Sequence, residues 1–123
     1  MNVADLMSKA ICAVDPETSL AEATTVMGER HVGSALVLDD GHLVGILTER
    51  DVVRAMSSAF DAPNRPVIEW MTKHPTTVGP DTPVKEALRT MVDGGFRHLP
   101  VVDEEQVVAG MVSMRDIARA LAD

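Results

Sequence analysis

Two seven-residue segments carry the residue types that can do chemistry, GILTERD at 45–51 and GMVSMRD at 110–116. Each reads as a glycine, two apolar residues, a hydroxyl residue, two variable positions and an aspartate. A hydroxyl residue where a strand meets a helix can donate to a phosphate, because the helix N-terminus offers free N–H groups and partial positive charge. The aspartate one turn later can accept from both hydroxyls of a ribose, and the glycine leaves room for a ligand near the backbone. This interpretation predicts nucleotide-binding motifs.

Helix capping explains the same residues without a ligand. Thr48 and Ser113 suit the N-cap position, and Asp51 and Asp116, three residues further on, resemble the acid of a capping box. The glycine of each segment also suits a tight strand or a bulge. Capping accounts for either segment taken singly, whereas the recurrence of the whole arrangement favours a ligand.

The two segments occupy equivalent positions of a tandem repeat. At an offset of 64 residues the aligned pairs include Met7–Met71, Lys9–Lys73, Pro16–Pro80, Thr18–Thr82 and Met27–Met91. One additional residue near 107–108 moves the offset to 65, which aligns the two segments. We therefore divide the chain into repeat 1 at 1–56, a polar linker at 57–66 and repeat 2 at 67–123, together one module.

Each repeat predicts the same series of α/β elements. A short helical turn and a brief strand precede an amphipathic helix, a two-stranded hairpin and a final helix. We expect helices to begin near Thr18, Thr48, Thr82 and Ser113. The predicted fold is α/β, with two β-α-β-β-α repeats packed about a pseudo-twofold axis. Because a unit of about 60 residues is marginal alone, we expect the repeats to share one core.

Composition disfavours several functional classes. The net charge is −8, with acids and bases interspersed, which disfavours binding to a nucleic-acid backbone. Cys12 is the only cysteine, so no internal disulfide can form and we expect a reducing compartment. The sequence shows neither a signal-peptide pattern nor an apolar run of about 20 residues, so we expect a cytoplasmic protein that does not span the membrane. The four histidines His31, His42, His74 and His98 lack metal-ligand spacing, so no metal is expected.

The sequence resembles a CBS-domain pair, the regulatory module named after cystathionine β-synthase. The likeness covers nearly the whole chain, and it is carried by GILTERD, GMVSMRD, the openings VADLMSK and VIEWMTK, and RHLPVVDEE before the second motif. The resemblance implies a non-enzymatic, energy-sensing module that binds AMP, ADP or ATP between the repeats. It also implies a homodimer, with the nucleotide as a regulatory ligand and no cofactor. Because the sequence shows no effector domain, we expect the module to act in trans on an unknown effector protein.

Other functions stay open at this point. One is a scaffold or dimerisation module without a ligand, and another is a sensor of S-adenosylmethionine, NAD or a cyclic dinucleotide. Hydrolytic catalysis is not expected, because nothing in the spacing of Ser113, His98 and Asp116 supports a catalytic triad.

The resemblance implies two ligand sites. Site A comprises Ala10, Ile11, Cys12, Val32, Gly33, Arg97, His98, Ser113, Arg115 and Asp116. Site B comprises Thr48, Arg50, Asp51, His74, Pro75, Thr76 and Phe96. Where repeat 2 has Arg97 and His98, repeat 1 has a glycine and a serine, so a phosphate at site B depends on Arg50. We therefore expect the nucleotide in site A, with Asp116 accepting from the ribose hydroxyls.

Overall fold

The computed structural model describes residues 1–122, which form a mixed α/β fold with two sheets. Helices α1 to α4 span Leu20–Glu29, Glu49–Ser58, Val84–Gly94 and Met114–Leu121. Strands β1 to β6 span Ala13–Val14, Ser34–Asp39, His42–Thr48, Thr72–Lys73, His98–Val102 and Val108–Ser113. Short 3₁₀ turns lie at Val3–Asp5, Ala62–Asn64 and Val67–Glu69. The predicted fold class is confirmed, and each of the four helices begins within two residues of its predicted start.

Local chemistry explains where several elements begin and end. The Ser19 Oγ atom accepts the N–H of Glu22 at 3.1 Å and caps α1. Gly95 follows α3 with a φ of 72°, a left-handed conformation that glycine adopts without strain. The turn between β2 and β3 contains Asp40 and Gly41, whose φ angles of 52° and 81° suit a two-residue hairpin loop.

The chain forms two compact units that do not coincide with the sequence repeats. The central unit comprises Cys12–Pro75, and the terminal unit comprises Met1–Ile11 with Thr76–Asp123. Each repeat therefore contributes its opening residues to the unit that contains the body of the other repeat. We call residues 3–9 the first opening segment and residues 67–73 the second opening segment. The boundaries of the repeats and linker predicted above stay a prediction.

The sheet of the central unit has the order β1-β2-β3-β4. β1 pairs with β2 in parallel, the other pairs are antiparallel, and β4 comes from the second opening segment. In the terminal unit β5 and β6 pair antiparallel, and single bridges extend both edges: Val78 with Val101 in parallel and Ser8 with Met111 antiparallel. Because Ser8 is the repeat equivalent of Thr72 in β4, the two units share one strand order.

Equivalent hydrogen bonds hold the two opening segments. The N–H of Val67 donates to the oxygen of Thr18 at 2.8 Å, and the N–H of Val3 donates to the oxygen of Thr82 at 2.9 Å. Both valines are fully buried, and burial of each side chain contributes about 2 kcal/mol. The opening segments are thus integral parts of the units in which they pack.

The prediction of one shared core is wrong for the described residues, whose buried side chains form two clusters. The central cluster includes Val67 and Met71 from the second opening segment, and the terminal cluster includes Val3 from the first. A unit of about 60 residues is marginal because it buries little surface. Each unit here gains apolar side chains from the opening segment of the other repeat.

Among residues 1–122, no helix is long and apolar enough to cross a membrane.

Candidate functional site

Both repeated segments form a capped junction between a strand and a helix. The Oγ1 atom of Thr48 accepts the N–H of Asp51 at 3.2 Å, and Asp51 Oδ2 accepts the N–H of Thr48 at 3.0 Å. Ser113 and Asp116 exchange the same two bonds at 3.0 and 3.1 Å. The capping interpretation is therefore confirmed at both junctions. A ligand at either junction therefore has to bind through acceptor atoms that do not take part in the cap.

The glycines of the two segments are required by the packing of the opening segments. A Cβ atom on Gly45 would overlap the Sδ atom of Met71 and lie 3.0 Å from the oxygen of Thr72. A Cβ atom on Gly110 would lie 2.6 Å from the carbonyl oxygen of Ser8. The prediction that these glycines leave room for a ligand is wrong, since backbone and side chains of the same unit occupy that space. The alternative, a tight strand position, is correct.

In the terminal unit, four predicted site residues meet at one end of the sheet. His98 at the start of β5 pairs with Ser113 at the end of β6, and the N–H of Met114 donates to the oxygen of Arg97 at 2.8 Å. Arg97 is exposed, whereas Asp116 and His98 are half-buried. Asp116 Oδ1 accepts no hydrogen bond from residues 1–122. This end of the sheet therefore combines a cation, an imidazole, a helix N-terminus and a carboxylate oxygen with unused acceptor capacity.

In the central unit, the equivalent carboxylate is occupied by the chain itself. Asp51 is 4% exposed and accepts from Thr48 Oγ1 at 3.1 Å, in addition to the Thr48 N–H. Thr72 Oγ1 lies 3.2 Å from each of its oxygens, and Arg54 Nη2 lies 3.2 Å from Oδ1. Both oxygens of Asp51 therefore have protein partners, whereas Oδ1 of Asp116 has none within the described part of the chain.

Sequence reasoning missed Thr72 and Arg54 as partners of Asp51. A weak signal exists for each: the repeat equivalent of Thr72 is Ser8, another hydroxyl residue, and Arg54 lies three residues after Asp51 on the same helix. Hydroxyl and basic residues are common at such exposed positions. Neither signal identifies a partner without the fold.

The remaining predicted site residues fall in both units. Ala10, Ile11, Thr76, Phe96 and Arg115 belong to the terminal unit, and Cys12, Val32, Gly33, Arg50, His74 and Pro75 to the central unit. Cys12 is buried in the central core, and its carbonyl oxygen accepts the N–H of Leu36 at 2.8 Å. Phe96 packs against the terminal core. Because sites A and B each draw residues from both units, the two sites stay predictions, with each half described by itself.

An open groove of about 570 Å³ lies elsewhere on the terminal unit, lined by residues 77–83, Glu86, 102–104 and Gln106. It contains none of the predicted site residues. Its lining includes the carboxylates of Asp81, Glu86, Asp103 and Glu104 and no Lys or Arg, so it disfavours a phosphate. Among residues 1–122, no group of three or more His, Cys, Asp or Glu side chains is placed to hold a metal ion.

A family model of the CBS domain matches residues 3–58 and 67–123. The chain therefore belongs to the CBS domain family, one of regulatory ligand-binding modules, and contains two CBS repeats. An uncharacterized 17.7 kDa protein in the bps2 3′ region of Acidianus ambivalens is 42% identical over 123 residues, which cover 98% of this chain and 73% of that protein. In several other relatives the chain spans 15–24% of the length.

Solved structures of CBS pairs share the fold. The CBS domain pair of protein MJ0100, in complex with 5′-methylthioadenosine and S-adenosyl-L-methionine, is 28% identical with a TM-score of 0.91, over 99% of this chain and 96% of that chain. CBSX2 in complex with AMP is 26% identical with a TM-score of 0.86, over 98% of this chain and 96% of that chain. Both of these neighbours bind small adenosyl-containing ligands.

Proposed function

We propose that the chain is a non-enzymatic regulatory module that binds an adenine nucleotide (AMP, ADP or ATP) and acts in trans on an effector protein. The observation that carries the proposal is the junction at the start of α4, where Asp116 Oδ1 accepts no bond from residues 1–122. The ligands of MJ0100 and CBSX2 support an adenosyl ligand, and that of CBSX2 is an adenine nucleotide.

The terminal half of site A has complementary chemistry for a nucleotide. The Asp116 carboxylate accepts from the ribose hydroxyls, and a charged acceptor makes such bonds stronger than a neutral one. Arg97 and Arg115 are exposed cations beside the N-terminus of α4, and both features attract a phosphate. Local cations matter because the chain carries a net charge of −8. The adenine packs against residues 10–12 and 32–33.

Site B is the weaker site in this proposal. Its aspartate, Asp51, already accepts from Thr48, Thr72 and Arg54. Its phosphate-binding cation is Arg50, which is exposed. A ligand there must replace hydrogen bonds within the protein, whereas a ligand at Asp116 binds to Oδ1, which accepts no hydrogen bond from residues 1–122.

We infer binding rather than catalysis at the Ser113 junction. The Oγ atom of Ser113 accepts the N–H of Asp116, and the carboxylate of Asp116 accepts the N–H of Ser113. Both side chains therefore serve the helix cap, and Asp116 does not act as the orienting acid of a nucleophile in this arrangement.

The free, buried thiol of Cys12 supports the proposal of a reducing, cytoplasmic environment.

A dimerisation function is favoured by apolar side chains on and after α2. Val53 and Met56 are 65% and 56% exposed, and Phe60, just beyond the helix, is fully exposed. Large apolar side chains grouped in this way are typical of protein interfaces. We propose that this face pairs two copies of the chain in a homodimer. A scaffold that dimerises without a nucleotide is the competing function.

A thermal-shift panel separates the two functions. The ligands are AMP, ADP, ATP, S-adenosylmethionine, NAD and a cyclic dinucleotide, each followed by calorimetry if the midpoint changes. A ligand at 100 times its Kd stabilises a native state by about 2.7 kcal/mol, which raises the Tm by on the order of 10 °C for a chain of this size. We expect the largest shift from one of the three adenine nucleotides. No shift with any ligand at millimolar concentration would refute ligand sensing and leave the scaffold function.

A further inference from the structure

The two aspartates of the repeated motif differ in how the chain uses their carboxylates. Asp51 accepts from the side chains of Thr48, Thr72 and Arg54, whereas Asp116 accepts only the Ser113 N–H from residues 1–122. We propose that Asp51 is a latch that fastens the second opening segment to α2, so that the two copies of the motif have divided their roles. The Asp51 copy holds the fold together, and the Asp116 copy is left for a ligand.

The latch joins α2 to the second opening segment at two points. Thr72 Oγ1 lies 3.2 Å from each oxygen of Asp51. Arg54 Nη2 lies 3.2 Å from Asp51 Oδ1 and 2.8 Å from the carbonyl oxygen of Trp70. Arg54 thus connects the carboxylate to the backbone of the segment. Since bonds to a charged group are stronger than neutral ones, a nearly buried carboxylate is an effective anchor.

The second opening segment needs such an anchor because its strand is short. β4 has only two residues, Thr72 and Lys73, and it lies at the edge of the sheet. A two-residue edge strand forms few backbone hydrogen bonds with its neighbour, and a segment of that kind detaches at low free-energy cost. The bonds from Asp51 and Arg54 add side-chain contacts where the ladder is weakest.

The terminal unit shows the same backbone arrangement without the latch. Ser8, the equivalent of Thr72, forms the corresponding bridge with Met111, but its hydroxyl makes no hydrogen bond to Asp116 in the structure of residues 1–122. Arg119, the equivalent of Arg54, is exposed and likewise makes no bond to Asp116 there. The difference therefore lies in the side chains and not in the fold, which makes Ser8 a matched control position.

The consequence for ligand selection rests on the proposed function. The hydroxyls of a nucleotide at the Asp51 junction must compete with Thr72 and Arg54 for the same carboxylate. Binding there releases the second opening segment, whereas binding at Asp116 breaks no bond to that carboxylate. The latch itself does not depend on any ligand, so it can be tested in the ligand-free chain.

Trp70 reports directly on the latch. It is the single tryptophan of the chain, it lies in the second opening segment, and it packs against the central core. Its indole N–H is buried and has no hydrogen-bond partner among residues 1–122. When the second opening segment detaches from the sheet, the indole ring of Trp70 becomes exposed to water. Its fluorescence emission then shifts to longer wavelength, and acrylamide quenches it more strongly.

The test compares Thr72→Val with Thr72→Ser and Ser8→Ala in the full-length chain without ligand. Valine keeps the shape of threonine and removes the hydroxyl. Loss of a hydrogen bond to a charged group should make hydrogen exchange of the peptide 67–73 about tenfold faster, with more quenching of Trp70. Thr72→Ser should exchange like wild type because it keeps the hydroxyl, and Ser8→Ala should leave the peptide 67–73 unaffected.

Two outcomes would overturn the latch: wild-type exchange rates in Thr72→Val, or an equal acceleration in Ser8→Ala. If Thr72→Val does not fold, Arg54→Gln replaces it, since the Arg54 side chain is 59% exposed and the same acceleration is expected. Calorimetry with AMP tests the division of roles, which is overturned if Asp51→Asn loses more affinity than Asp116→Asn. ADP and ATP replace AMP in this measurement if the wild type does not bind AMP, and if none of the three binds, the proposed function fails while the exchange result still decides the latch.

Discussion

Replacing Asp116 with asparagine removes one negative charge at the start of α4 while keeping an oxygen that can accept the Ser113 N–H. In the native chain that bond uses Oδ2 at 3.1 Å, and Oδ1 accepts nothing from residues 1–122. In Asp116→Asn an amide group takes the place of this second oxygen, and an amide N–H cannot accept a ribose hydroxyl. The substitution therefore separates the ligand role of the residue from its capping role.

The expected loss follows from the kind of bond that is removed. A hydrogen bond to a charged group contributes about 1.5–3 kcal/mol, and the half-burial of Asp116 extends the range down to about 1 kcal/mol. A loss of about 1–3 kcal/mol weakens the Kd for AMP by about 5- to 150-fold. Folding stability should change less than affinity, since the amide oxygen still caps the helix.

Calorimetry on the folded variants measures the affinity, and urea unfolding of the same samples measures the stability. Asp51→Asn is the matched variant, and we expect it to lose less affinity and more stability than Asp116→Asn. Its carboxylate holds Thr72 and Arg54, and removal of one partner from a buried polar network is costly. Unchanged AMP affinity in Asp116→Asn with a loss in Asp51→Asn would reverse the ranking of the sites. Unchanged affinity in both would reduce the repeated motif to helix capping.

The packing of the opening segments and the exposed face of α2 yield further predictions. Gly110→Ala should lower the free energy of unfolding in urea by about 1–3 kcal/mol, because its Cβ would lie 2.6 Å from a backbone oxygen. Gly45→Ala should cost less, since its closest overlap is with a flexible methionine side chain. Gly28→Ala is the control: its Cβ meets nothing within 4 Å, so stability should rise by about 0.5–1 kcal/mol. The double variant Val53→Glu, Phe60→Glu should be monomeric by light scattering while the wild type is dimeric, and a monomeric wild type at micromolar concentration would contradict the dimer.

Features that depend on neighbours in sequence could be predicted from the sequence. The helices after Thr48 and Ser113 begin as expected because an N-cap and its acid lie three residues apart. The hairpin at Asp40 and Gly41 follows for the same reason, since its backbone angles are set by those two residues. The repeat is also visible in the sequence, because equivalent positions keep equivalent residues.

The role of the repeated glycines could not be predicted in this way. The sequence places Gly45 in a strand, and open space beside it is as compatible with the pattern as close packing. Only the fold shows Met71 against it, 26 positions away in the chain (71 − 45). The ligand interpretation was wrong because a glycine indicates that another group packs close to the backbone, and it does not indicate whether that group is a ligand or another part of the chain.

The sequence by itself determined the repeated elements, their order and their caps, because those depend on contacts within a few residues. Only the tertiary structure decided which segment completes each unit. It also decided that the Asp51 carboxylate is occupied while Asp116 keeps an oxygen without a partner in residues 1–122. Thr72 is 21 residues from Asp51, and its hydroxyl reaches the carboxylate because β4 pairs with β3 from another repeat. Contacts of that kind depend on chain topology, so equivalent motifs acquire different chemistry from the segments that pack against them.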